Sequence, residues 1–233
     1  MRTPAFLLAL AAALLPAPAL ADVTARYDAG GGRQIVIEVA DNGDSRVQID
    51  ALIVLTIIHR DGADYVVMRD MDGMEHVARA DAVLAVAVGP PPDKVSENPL
   101  VFESHRGGSD SVLGYAGVLW TFGPRGETPI EFLISPDPRL IPIGNVFRNW
   151  AELIIGATGP MVFDPESFRP IFAEGTPVRI SALTASGPAG EVIALQSVNM
   201  EAVNPARFML PGPVLAPEQF LARVMPDPKP GAD

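Results

Sequence analysis

Residues 60–81, RDGADYVVMRDMDGMEHVARAD, hold five aspartates, one glutamate and one histidine. Carboxylates and imidazole at such density could bind a cation. Turn chemistry is the competing account. Asp61-Gly62 and Asp72-Gly73 sit between runs of strand formers, as Asn42-Gly43 does upstream. Asparagine and aspartate bond their own turn backbone, glycine accepts positive φ, and a type I′ hairpin needs positive φ at both central residues. Counted from Asp70 as a calcium loop, the sixth position is Glu75 rather than glycine and the twelfth is Asp81 rather than glutamate. The stretch therefore reads as hairpin turns, with Asp81 the N-cap of a short helix over AVLAVAV.

The other residues able to do chemistry are as isolated. His59, His76 and His105 show neither H-x-H nor H-E-x-x-H spacing. Ser109 lies in GGSDS, not G-x-S-x-G, and His105 is too close in the same stretch to serve it as a rigidly held base. Glu131, Glu152, Asp164, Glu166 and Glu174 could pair as acid and base, but no spacing singles out one pair. Gly30-Gly31-Gly32 follows a short strand and precedes no helix, so it is not a phosphate loop. The reading is of a non-enzyme with no catalytic residue, no metal and no cofactor. A hydrolase or metalloprotein would need two of the histidines, or a histidine and a carboxylate, brought together in a cleft.

Apolar chemistry is better represented. Phe147, Trp150, Phe163, Phe168 and Phe172 fall within 26 residues. They either fill an ordinary core or line a cavity between a sheet and a helical lid, the kind of cavity that holds apolar ligands.

The elements that would position them follow from periodicity. Segments 23–29, 33–40 and 45–50 alternate apolar and polar residues and form a meander. ALIVLTII (51–58) is apolar on both sides, as a strand covered on both faces would be. Residues 64–69 and 74–79 continue the meander. After GPPPDKVSENP (89–99), a flexible joint, come a strand at 99–104, a polar loop at 105–111, a long strand over 112–122 that its glycines let bend, and a strand at 128–135. Three prolines exclude regular structure from 136–145. Val146, Phe147, Trp150, Leu153 and Ile154 make one helical stripe. Asp164-Pro165 restarts a helix with Asp at N-cap and Pro at N1, and Gly175 ends it. Strands at 176–185 and 191–203 flank SGPAG, and 217–224 is a short amphipathic helix.

The N-terminus, MRTPAFLLALAAALLPAPALA, has a basic start, an apolar run too short to span a bilayer, and an A-x-A cleavage signal. Residues 1–21 are expected to be a signal peptide cleaved after Ala21, with no membrane span remaining. Residues 22–224 form one domain and 225–233 a flexible tail. The chain has no cysteine, which removes disulfides, thiolate chemistry and a lipoprotein-type anchor. Its net charge of −11, one unit more negative without Arg2, disfavours nucleic acid and anionic membrane as partners.

The order of parts, ISPDPRLIP after a strand, a helical insertion, then EGTPVRI and a last strand running into PARFMLP, resembles the LolA/LolB-like superfamily of periplasmic lipoprotein carriers and related envelope proteins over most of residues 22–213. The resemblance implies an α+β fold: a curved antiparallel sheet, an unclosed β-barrel of about ten strands, with two or three helices covering its concave side. It also implies a periplasmic location and an apolar cavity for a lipid or lipoprotein acyl chain, with Trp120, Phe132, Phe147, Trp150, Phe168 and Phe172 as ligand-binding candidates. The alternative is an envelope interaction module whose core is filled by its own side chains.

Overall fold

The structure is a computed structural model that describes residues 22–50, 54–88, 102–125, 129–158, 165–184 and 187–225. The leader at 1–21, the joint at 89–99 and the tail at 226–233 lie outside the described residues, as do Phe163 and Asp164.

Six strands open the chain: β1 (Val23–Asp28), β2 (Gln34–Val39), β3 (Ser45–Asp50), β4 (Val54–Arg60), β5 (Ala63–Arg69) and β6 (Glu75–Arg79). Each pairs antiparallel with the next. The expected turns form, but they are not all alike. Asp61-Gly62 has both residues at positive φ, 52° and 72°, as a type I′ hairpin requires. At Asn42-Gly43 and Asp72-Gly73 only the glycine is left-handed, and Gly43 N–H and Gly73 N–H donate to the carbonyls of Ala40 and Asp70. These two are longer loops, and Asp70 rather than Asp72 holds the second of them, its Oδ1 accepting from the N–H groups of Asp72 and Met74.

Helix α1 (Ala80–Val88) follows β6 directly. Asp81 is inside its first turn, not at the cap. It accepts from Ala82 N–H at 2.9 Å and pairs with Arg79. Then come β7 (Phe102–Val112), β8 (Tyr115–Pro124) and β9 (Ile130–Ser135). The polar loop expected at 105–111 is instead the middle of β7. Its residues are exposed because β7 is the last strand of the sheet, so no alternating burial marks it. The hairpin tip is Leu113-Gly114, both at positive φ.

A 3-10 turn, Pro138–Leu140, leads into α2 (Ile141–Thr158). The prolines of 136–145 therefore start regular structure rather than forbid it: Pro138 opens the 3-10 turn and Pro142 stands in the first turn of α2, where its missing N–H costs nothing. Helix α3 (Pro165–Ala173) begins at the expected proline. It is followed by β10 (Thr176–Thr184) and β11 (Gly187–Asn199), the latter starting inside the SGPAG expected as a turn. Between α3 and β10, Gly175 passes so close to β9 that a Cβ would meet the Ser135 carbonyl oxygen at 2.1 Å. PARFMLP carries a second 3-10 turn, Pro205–Phe208, in place of a strand ending. Two-residue β12 (Val214–Leu215) and α4 (Pro217–Val224) complete the chain.

All twelve strands belong to one curved, unclosed sheet, in the order β12-β6-β5-β4-β3-β2-β1-β11-β10-β9-β8-β7. Every pairing is antiparallel except β12 with β6. The α+β architecture holds, with twelve described strands rather than about ten and four described helices rather than two or three. The main core lies between the inner face and α2 and α3, and includes Val23, Ile37, Val47, Leu133, Ile143 and Ile171. A second cluster joins Val66 and Ala78 to Phe220 and Val224 of α4, with Leu153 of α2 beside it. The outer face of β4–β6 has its own small cluster of Ile58, Val67 and Val77, over which Leu210 packs. Residues 200–215 thus cross the outside of the sheet before α4 reaches the inside.

Candidate functional site

The candidate apolar residues come from three directions. Trp120 on β8 and Phe132 on β9 are register partners and point to the inner face. Phe172 of α3 meets Phe132 edge-on, ring centroids 5.8 Å apart. On α2, Phe147 meets Trp150 at 6.1 Å and Tyr27 of β1 at 5.7 Å, both near perpendicular. Edge-to-face pairs at these separations are favoured by the ring quadrupoles. Trp120, Phe132, Phe147 and Phe172 are each at most 8 % exposed and belong to one core cluster; Trp150 packs against it half-buried. Of Phe168 and Ile154 only the backbone is described.

Polar groups at the margins are paired. Tyr27 donates to the Pro177 carbonyl at 3.0 Å, and burial pushes its hydroxyl pKa far up, so it stays neutral. Trp120 Nε1 donates to Glu174 Oε2 at 3.1 Å, and Arg106 donates to Glu174 Oε1 at 3.0 Å. Thr176 Oγ1 donates to the Leu140 carbonyl at 2.8 Å, tying the start of α2 to β10. This interface is built for alkyl and aryl surface.

The polar candidates stay dispersed. His59 pairs with Asp64 across the β4–β5 hairpin at 2.9 Å, His76 with Asp70 at 2.7 Å, and His105 with Glu103 at 3.6 Å. His–carboxylate pairs are the base and orienting group of a triad, but a triad also needs a nucleophile at the other ring nitrogen. At buried His76 that nitrogen, Nδ1, faces Arg223 Nη1 at 3.5 Å. The His76 bond, followed by the turn N–H groups, holds the Asp70 carboxyl below its ordinary range. Glu152 pairs with Arg169 and joins α2 to α3; Glu131 and Asp110 share Arg179. Ser109 stands on exposed β7 opposite Val118. Glu166 is described in its backbone alone. Among the described residues no three histidine, aspartate or glutamate side chains gather as metal ligands would.

Sequence reasoning missed a cleft on the outer face. It spans two contiguous hollows of about 400 and 130 Å³ that share Arg46, Thr56, Val67 and Glu75. Arg46 and Thr56 stand at outward positions of alternating strands, which reads as ordinary solvated surface. Arg207 arrives from a distant part of the chain.

No protein-family model matches the chain, and no curated protein matches it. Solved structures similar to it include a crystal structure of MucB, at 14 % identity and a TM-score of 0.33, covering 82 % of this chain and 57 % of that one. Another is the complex of Pseudomonas aeruginosa MucA and MucB, at 13 % identity and 0.37, covering 81 % and 55 %. The chain spans little more than half the length of either. So distant a likeness carries no weight for either fold or function; the fold rests on the sheet itself and the function on the residues above.

Proposed function

We propose that the protein is a non-enzymatic binding module of the cell envelope that takes an alkyl or acyl chain between the inner face of its sheet and the α2–α3 layer. The observation that carries this reading is the convergence of Trp120, Phe132, Phe147 and Phe172 on one apolar seam between the sheet and the α2–α3 layer. Apolar contacts lack fixed geometry, so the helices can shift across the sheet by the width of an alkyl chain while contact is kept. Trp150 packs half-buried against the same cluster. The leader-like residues 1–21 support export to the periplasm. No helix among the described residues is long and apolar enough to cross a membrane.

Native mass spectrometry of the protein purified without detergent, with uptake of a fluorescent fatty acid, tests the proposal. Retained lipid, or saturable uptake weakened by Phe172→Ala, supports it. A clean apo mass with no uptake supports the second reading, an interaction module with a filled core, which is favoured by the ring-on-ring packing and low exposure of the same four residues.

A further inference from the structure

The outer-face cleft is a different kind of surface from the aromatic seam. Its floor is Thr56 on β4 and Val67 on β5, adjacent in register, with Ile58 beside them. Arg46 of β3, Glu75 of β6 and Arg69 of β5 stand round it, and Arg207, Leu210 and Pro211 of the crossing segment form the far wall. Glu38 anchors the arginines: it accepts from Arg207 Nε at 2.6 and 2.8 Å and from Arg46 Nη1 at 3.3 Å. Arg46 Nη2 donates to Gln48, and Arg69 is held by Glu75.

Two groups are left over. The Thr56 hydroxyl has no hydrogen-bond partner among the described residues and is open to solvent, and the residue lines both hollows. The terminal nitrogens of Arg207 have none either, because its Nε makes both bonds to Glu38. Among the described residues Arg46, Arg69 and Arg207 border the hollows with Glu75; Glu38, and Asp50 reached from Arg46 through Gln48, stand behind them. Burial and then the Arg207 charge pull the Arg46 guanidinium below its ordinary value, with Glu38 offsetting part of this.

We propose that this cleft is a second binding site, taking a small monocarboxylate with an apolar body: the carboxylate lies between Arg207 and Thr56, and the body rests on Val67, Ile58 and Leu210. A guanidinium edge matches a planar carboxylate, and Glu75 on the wall disfavours an anion of higher charge such as phosphate. A wholly polar anion would leave the apolar floor unused. The chemistry is shared by free carboxylic acids and peptide C-termini. The site lies on the face of the sheet opposite the aromatic seam and does not depend on it.

The test is titration of the ¹⁵N-labelled protein with octanoate, with octanol as the uncharged control, and in a second arm with acetyl-Leu-Val-Ala and its C-terminal amide. The expected result is saturable shifts in the amides of 54–58, 65–69 and 206–210 with the carboxylates and not with octanol or the amide. A stronger response to octanoate assigns a free acid; a stronger response to the tripeptide assigns a chain terminus. Arg207→Gln should weaken binding about tenfold and Thr56→Val about threefold, the loss of a charge-assisted pair and of one hydroxyl bond. Both variants should keep the parent spectrum elsewhere, since Arg207 is half-exposed and valine matches threonine in shape. The proposal is overturned if octanol shifts these amides as octanoate does, if Arg207→Gln binds like the parent, or if shifts appear only at 143–153 and 167–173. That last pattern would leave the aromatic-seam reading intact.

Discussion

Glu38 should matter far more to stability than either arginine bound to it. Its side chain is 9 % exposed and serves both Arg46 and Arg207, whose side chains are 16 % and 45 % exposed. In Glu38→Gln the amide keeps one acceptor and turns an N–H group toward a guanidinium, leaving Arg46 with an uncompensated charge in a largely buried place. Breaking a fully buried pair from one side costs about 3–5 kcal/mol, and the exposure of Arg207 moves this case to the lower end, about 3 kcal/mol. Arg207→Gln removes the same contacts from the other side, but Glu38 keeps Arg46. The lost partner was half in water, so the cost is about 1 kcal/mol. For a domain of this size those costs lower Tm by about 6–12 °C and 2–4 °C respectively. Urea unfolding at neutral pH, fitted with a common m-value, measures both. If Arg207→Gln costs as much as Glu38→Gln, or if Glu38→Gln costs under about 1 kcal/mol, then Glu38 does not anchor the crossing segment as argued.

Other outcomes follow from single contacts. Gly175→Ala would drive a Cβ into the Ser135 carbonyl at 2.1 Å, so it should lose about 3 kcal/mol or more, or fail to yield soluble protein in an expression trial. Tyr27→Phe removes the buried bond to Pro177 while keeping the ring against Phe147; a loss of about 1 kcal/mol in urea unfolding is expected. Asp70 has its carboxyl held below its ordinary range by His76 and the turn N–H groups, so its contribution is present above the unfolded-state carboxylate pKa and is lost as pH falls through the lower folded value. The stability gap between the parent and Asp70→Asn should therefore narrow as pH is lowered from 5 to 3, and a gap that widens would reverse the assignment.

Strands β1 to β3 were legible because their apolar and polar residues alternate, and β4 to β6 because Asp61-Gly62 and Asp72-Gly73 separate runs of strand formers. Also legible were the 146–154 stripe and 217–224, where Phe220 and Val224 are the buried residues of a short helix. The crossing segment was not legible. Its anchors, Arg207 to Glu38 and Val203 N–H to Asp22, join residues 169 and 181 positions apart. No local pattern encodes such a pair, and β12 is two residues long, too short to show a period. Among the aromatic candidates, the Trp120–Glu174 bond is likewise non-local and turns an acid–base candidate into a structural partner.

Strand β7 escaped for a different reason, and its case bears on how the sheet ends. One edge of the sheet is covered by the chain itself, where β12 pairs with β6 and α4 packs beside it. The other edge, β7, has no such cover among the described strands. It carries Glu103, His105, Arg106 and Asp110 and breaks register between Arg106 and Ser109, where Gly107 and Gly108 intervene. Charges and bulges are what keep an open edge from pairing with another chain. An apolar, alternating β7 would have been easy to recognise and would have left the sheet open to growth by strand addition. The polarity that made 105–111 resemble a loop is the property that lets β7 stand at the edge.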